Sequence, residues 1–105
     1  MNEMTTRRFD GCAHAILDAQ AFVRTNASSL RAILKLAGGS QALELFDEVH
    51  RISDEERAPD PNQIGRLLSA MRAMLMEAAH IPVDQLPSLH WHGAKLSDLA
   101  CRFPV

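Results

Sequence analysis

The sequence predicts an all-α fold, and three observations carry that expectation. Alanine and leucine dominate, tyrosine is absent, and Val, Ile and Thr are sparse. Straight-chain, alanine-rich sequence favours helix, whereas a sheet wants β-branched and aromatic residues. Cys12, Ile16, Ala19, Val23, Ala27, Leu30, Leu34 and Ala37 recur at intervals of 4, 3, 4, 4, 3, 4 and 3, close to the helical period of ~3.6 residues. Ile64, Leu67, Leu68, Met71, Met74, Leu75 and Ala78 form a second stripe of the same kind. At 105 residues, 47% hydrophobic and 23% charged, the chain has the make-up of one globular domain and not of a disordered segment.

Taken in order, residues 1–9 are expected to form a flexible tail, leaving 10–105 as a single helical domain. Asp10 is a plausible N-cap for a first helix starting at Gly11. A helix over 11–37 would be about 40 Å long at roughly 1.5 Å per residue. A compact monomer of this length should be only roughly 33 Å across, so the fold is expected to be elongated, dimeric or both. Thr25-Asn26-Ala27-Ser28-Ser29 is the weak point, because its polar side chains compete for backbone hydrogen bonds. A break there would give helices at 11–24 and 28–37, although the stripe keeps its phase across it.

Gly38-Gly39 should end this helix, with Ser40 capping the next. That second helix carries Ala42, Leu45, Val49 and Ile52, with Phe46 at its edge, and is expected to stop near Ser53. Residues 54–60 read as a linker. Asp60 then caps a third helix with Pro61 in its first position, where a missing N–H does no harm. This helix is expected over 61–80, with Arg66, Arg72 and Glu77 off the stripe, until Ile81-Pro82 breaks it. Pro82, Pro87 and Gly93 mark 83–93 as loop or extended chain, and 94–103 as a short last helix presenting Leu96, Leu99 and Phe103 inward. The expected architecture is a long N-terminal helix with two or three further helices, in an antiparallel hairpin or small bundle.

Net charge is −2, so no basic field draws nucleic acid or an anionic membrane. Charge is uneven: residues 36–60 hold seven acids (Glu44, Asp47, Glu48, Asp54, Glu55, Glu56, Asp60) against Arg51 and Arg57. A solvated face explains that run; a surface for a basic partner is the sharper alternative. Arg7-Arg8 is followed by Phe9-Asp10-Gly11 and not by the apolar core of an export signal. No apolar run reaches the ~20 residues that span a bilayer. A cytoplasmic protein is therefore expected, with Cys12 and Cys101 as thiols.

Motifs that would carry catalysis or hold a cofactor are absent. Neighbouring carboxylates sit in polar sequence with nothing to set one apart as acid or base, and Gly38-Gly39-Ser40 lacks the lysine of a phosphate loop. His90-Trp91-His92 is the exception to examine. In an extended segment the two imidazoles would share a face and could chelate a metal, with His80 or Cys101 as further ligands. On a helix they would diverge by ~200°. The plainer expectation is that Trp91 packs into the core and the histidines sit at the surface or satisfy nearby carbonyls.

Leu96-Ser97-Asp98-Leu99-Ala100-Cys101-Arg102-Phe103-Pro104-Val105 resembles the first helix and turn of a bacterial helix-turn-helix domain. The helix that would enter the major groove does not follow, so direct nucleic-acid binding is not expected. Apolar residues off the main stripes are more informative. Leu17 stands off the first helix's stripe, Phe22, Ile33 and Leu36 widen it, and Met76 departs by roughly 140° from Met71. Apolar side chains around more than half a helix imply burial on two sides. Leu17, Phe22, Leu30, Ile33, Leu34, Leu36, Met71, Met74 and Met76 are therefore the candidate partner or dimer interface.

In length, helical content and lack of catalytic residues the chain resembles the small all-helical anti-activators that sequester bacterial LuxR-type quorum-sensing regulators. That resemblance implies a non-enzymatic, homodimeric antagonist that needs no cofactor and docks apolar helices onto a transcription regulator. The alternative function is a metal- or ligand-binding helical domain using His90 and His92.

Overall fold

Alanine, leucine and methionine at helical spacing produce helix wherever the chain has no Gly or Pro to stop it. The computed structural model describes the backbone of residues 3–54 and 60–103, and the side chains of 14–52 and 60–103. Within these residues every regular element is helical: α1 (Glu3–Thr25), α2 (Ala27–Asp54), α3 (Pro61–Glu77), a 3-10 turn (Val83–Gln85) and α4 (Leu86–Ala100). No helix among them is long and apolar enough to cross a membrane. The side chain of Cys12 and the linker residues Glu55, Glu56, Arg57, Ala58 and Pro59 lie outside the described residues.

The weak point at 25–29 behaves as its polar residues dictate. Asn26 alone leaves the helix, separating α1 from α2. Its backbone N–H donates to the Phe22 carbonyl (2.9 Å) and its carbonyl accepts from Leu30 N–H (2.8 Å). Its side-chain amide also donates to the Phe22 carbonyl (3.0 Å), and Ser29 Oγ donates to the Asn26 carbonyl (3.1 Å). These are the competing local bonds that distort a helix, yet i to i−4 pairing survives on both sides. The helix is therefore interrupted at the weak point, and α1 and α2 are separate elements. The molecule measures 52 × 23 × 20 Å. The radius of gyration is 14.3 Å, above the ~13 Å of a compact chain of this size. Elongation is thus a property of the single chain.

The first helix begins at Glu3 and not beside Asp10. Once nucleated, each further residue adds a hydrogen bond for little entropy, and Met4, Arg7 and Arg8 are good helix formers. The Gly38-Gly39 break is real: Gly39 has φ 63° and ψ −141°, a combination that essentially only glycine adopts. It divides α2 into halves at 27–38 and 40–54. Asp60 caps α3 as expected, accepting from Asn62 N–H at 3.0 Å with Pro61 in the first turn. α3 ends at Glu77, three residues earlier than its stripe predicts, with His80 at φ 62°.

The C-terminal third differs most from expectation. Residues 83–93 are not loop: α4 runs from Leu86 to Ala100 with Pro87 in its first turn. A proline there starts a helix as readily as it breaks one further on. Leu86, Leu89, His92, Leu96, Leu99 and Phe103 then fall at intervals of 3, 3, 4, 3 and 4, a helical face that the prolines and Gly93 conceal.

The helices pack as antiparallel neighbours. Gln63 at the start of α3 donates to Glu48 (3.3 Å), while Gly38 lies against Met74 near the other end. α4 returns along α1, with Arg102 bonded to Asp18 (2.6 Å) and the Trp91 ring 6.0 Å from that of Phe22. Val23, Leu30, Ile33, Leu34, Val49, Ile64, Leu68, Met71 and Leu96 are fully buried between them. Each such side chain contributes about 1.5–3 kcal/mol. Exposed pairs such as Arg51–Glu48 and Arg102–Asp18 add about 0–1 kcal/mol each, so the apolar seam holds the bundle.

Candidate functional site

Two places on this bundle combine polar groups with unusual surroundings. The first is His92. Its ring is 3% exposed and sits where the rod meets α4, edge-on to Phe22 and Trp91. Nδ1 lies 2.7 Å from the Ser88 carbonyl and 3.2 Å from Ser88 Oγ; Nε2 lies 3.0 Å from Ser29 Oγ. A carbonyl only accepts, so Nδ1–H donates to the Ser88 carbonyl, and Nε2 pairs with Ser29 Oγ. The Ser29–His92 distance matches a nucleophile–base pair. What surrounds it does not: Nδ1 is held by a backbone carbonyl and not by a carboxylate, and Ser29 and His92 line neither of the grooves described below. A buried ring needs its nitrogens satisfied, and this one is satisfied by tying α2 to α4.

His90 and His92 therefore do not form a chelate. Both are on α4, where residues two apart diverge by ~200°, and His90 is exposed while His92 is buried. No group of three or more His, Cys, Asp or Glu suited to a metal occurs among the described residues. The histidines stand as expected, His90 at the surface and His92 on the Ser88 carbonyl, whereas Trp91 is not packed into the core. Trp91 is 45% exposed, with Lys95 Nζ 5.7 Å from its ring centroid in a cation–π contact. Cys101 is an exposed thiol whose Sγ donates to the Asp98 carbonyl.

The second place is a trough between α3 and α4. On α3 it is formed by Arg72, Leu75 and Met76. On α4 it is formed by Leu86, Leu89, His90, Gly93, Ala94 and Ser97, one helical face at intervals of 3, 1, 3, 1 and 3. The cavity is open on one side and holds about 570 Å³. A shallower stretch of about 460 Å³ continues it toward Ala100, Cys101 and Phe103, and Arg72 and Ser97 line both. The small residues give the trough its depth. A Cβ placed on Gly93 would meet nothing within 4 Å, so this glycine faces open space and relieves no internal clash.

The residues expected at an interface separate sharply. Leu30, Ile33, Leu34 and Met71 are fully buried within one chain, and Phe22 and Met74 are partly buried against the same core. The central stripe that seemed too large for its own polypeptide to cover is covered by the other helices of the chain, α3 foremost against α2 and α4 against α3. It has no surface to offer a partner. Leu17, Leu36 and Met76 do remain exposed, at 60%, 49% and 66%, as does Val83. Of these, Met76 lies at the trough. Arg72 and the α4 face were missed at the sequence level, and the 3–4 spacing through Gly93 is the signal that could have found them.

Comparison of the chain with protein families, characterised proteins and solved structures finds no match. The trough itself is therefore the basis for a functional reading.

Proposed function

We propose that this protein is a non-enzymatic binding protein whose α3/α4 trough holds an amphipathic helix of a partner protein. The observation that carries this reading is the trough: an open apolar channel, floored by small residues and edged by an exposed methionine. Helix-in-groove docking uses such channels, with apolar residues at i, i+3, i+4 and i+7 entering the groove, and methionine adapts its shape to varied ligands. The resemblance to anti-activators makes a bacterial transcription regulator the first partner to try, with sequestration of one of its helices as the mechanism. A homodimer would use the same face, since the central stripe is internal.

Met76→Glu and Gly93→Leu test the reading, the first by charging the rim and the second by filling the floor. Both should leave helicity and thermal stability near those of the unaltered protein. A protein captured by the unaltered chain, lost on both variants, and shown by titration calorimetry to bind when purified supports the proposal. Partners retained equally by both variants would overturn it. Light scattering at micromolar concentration settles the second copy: a dimer abolished by Met76→Glu makes another molecule of this chain the occupant, and a strict monomer removes that option.

A further inference from the structure

We infer that the trough recognises a helix carrying an acidic residue near its midpoint, with Arg72 as the anchor; this rests on the docking reading above. Arg72 is half-buried and stands where the two stretches of the trough meet. Its guanidinium has no hydrogen-bond or ion-pair partner among the described residues. No aspartate or glutamate lines either stretch, and the other ionisable side chains along the α4 wall are His90 and the Cys101 thiol.

The absence of an internal acid decides the chemistry. A helix lying over Arg72 strips water from the guanidinium, and a desolvated charge left unpaired opposes binding. A carboxylate on the occupant removes that penalty and accepts two parallel N–H bonds in a geometry the guanidinium already holds. A lysine on the occupant at that point would be rejected by like charge. Position follows from length. The α4 wall from Leu86 to Phe103 is ~27 Å long at about 1.5 Å per residue. It accommodates an occupant of similar length, and Arg72 meets it near the middle. The stretch toward Leu86 is mostly apolar, with Gly93 and Ala94 leaving room for large side chains, and the stretch toward Phe103 also presents Ser69, Ser97 and Cys101. The occupant is thus an amphipathic helix of about five turns, apolar on one face and broken there by one Glu or Asp.

The experiment is a displayed library of helical peptides of about 18 residues, with a fixed apolar stripe and Glu, Lys, Gln or Ala elsewhere. It is selected on the full chain and on its Arg72→Gln, Arg72→Glu and Met76→Glu variants. Arg72 makes no internal bond, so these variants should keep the circular dichroism of the parent, which is checked first. The expected result is an acid enriched at one central position on the parent and a lysine there on Arg72→Glu. A selected peptide should bind about tenfold more weakly, by fluorescence anisotropy, once that acid becomes Gln. Peptides that lose binding on Met76→Glu but show no acidic preference overturn the role of Arg72 and leave helix docking standing. No selected peptide, or binders indifferent to Met76→Glu, overturns both. Saturable binding of decanoate that Arg72→Gln abolishes, with no peptide selected, would make the trough a site for a small amphipathic carboxylate instead, and so would overturn the inference.

Discussion

Leu34→Ala separates an internal seam from an interface more directly than any other change. Leu34 is fully buried among Leu30, Ile33 and the other core side chains of its own chain. Truncation removes its transfer energy and leaves a cavity, about 3 kcal/mol within the ~2–5 kcal/mol range for such sites. A domain of this size has roughly 5–15 kcal/mol in total. Each 1 kcal/mol lowers Tm by about 4–8 °C, so a drop of roughly 12–24 °C is expected. Thermal circular dichroism at roughly 5 and 200 µM protein supplies the assay, because a dimer-linked Tm rises with concentration. The drop should be the same at both concentrations. Met76→Ala, at an exposed site, should change stability by no more than ~0.5 kcal/mol. A loss below ~1 kcal/mol for Leu34→Ala, or a concentration dependence that Leu34→Ala abolishes, would refute the assignment of Leu34 to the monomer core.

Three further outcomes follow from backbone and network geometry. Gly39→Ala forces a side chain into the conformation at φ 63° and should cost about 1–3 kcal/mol by chemical denaturation. Gly93→Ala, in mid-helix with open space around its Cβ, should instead stabilise by about 0.5–1 kcal/mol in the same measurement; destabilisation would show that α4 does not continue through Gly93. His92→Leu should cost less than ~1 kcal/mol, because Ser29 keeps the Asn26 carbonyl at 3.1 Å and no buried partner is orphaned. His92→Ala should cost about 2 kcal/mol by leaving a cavity, and equal losses for the two variants would mean that the ring's hydrogen bonds matter more than its volume.

Local chemistry was legible wherever one residue decides its own surroundings. Asp60-Pro61 starts α3, Gly39 interrupts α2, and the polar run around Asn26 ends α1. The stripes of Val23, Leu30 and Leu34 and of Ile64, Leu68 and Met71 identified the core because apolar period survives in the primary chain. Pro87 was not legible in this way. Proline ends a helix in its interior and begins one in its first turn, and only the packing of Leu89 and Leu96 into the core, chiefly beside α3, decides which. With 83–93 taken as loop, the seam looks uncovered, Trp91 looks internal, and a shared face for His90 and His92 stays open as an alternative to the surface or carbonyl-bonded places expected of them.

Composition and period thus determined that the chain is helical, that its first helix is long, and which side chains avoid water. Tertiary structure alone decided which apolar residues remain exposed. Exposure depends on what lies opposite a side chain, and that neighbour sits far away in sequence. Arg72 gave no sign on its own helix of being special; it became so when α4 was laid beside it without an acid to meet it.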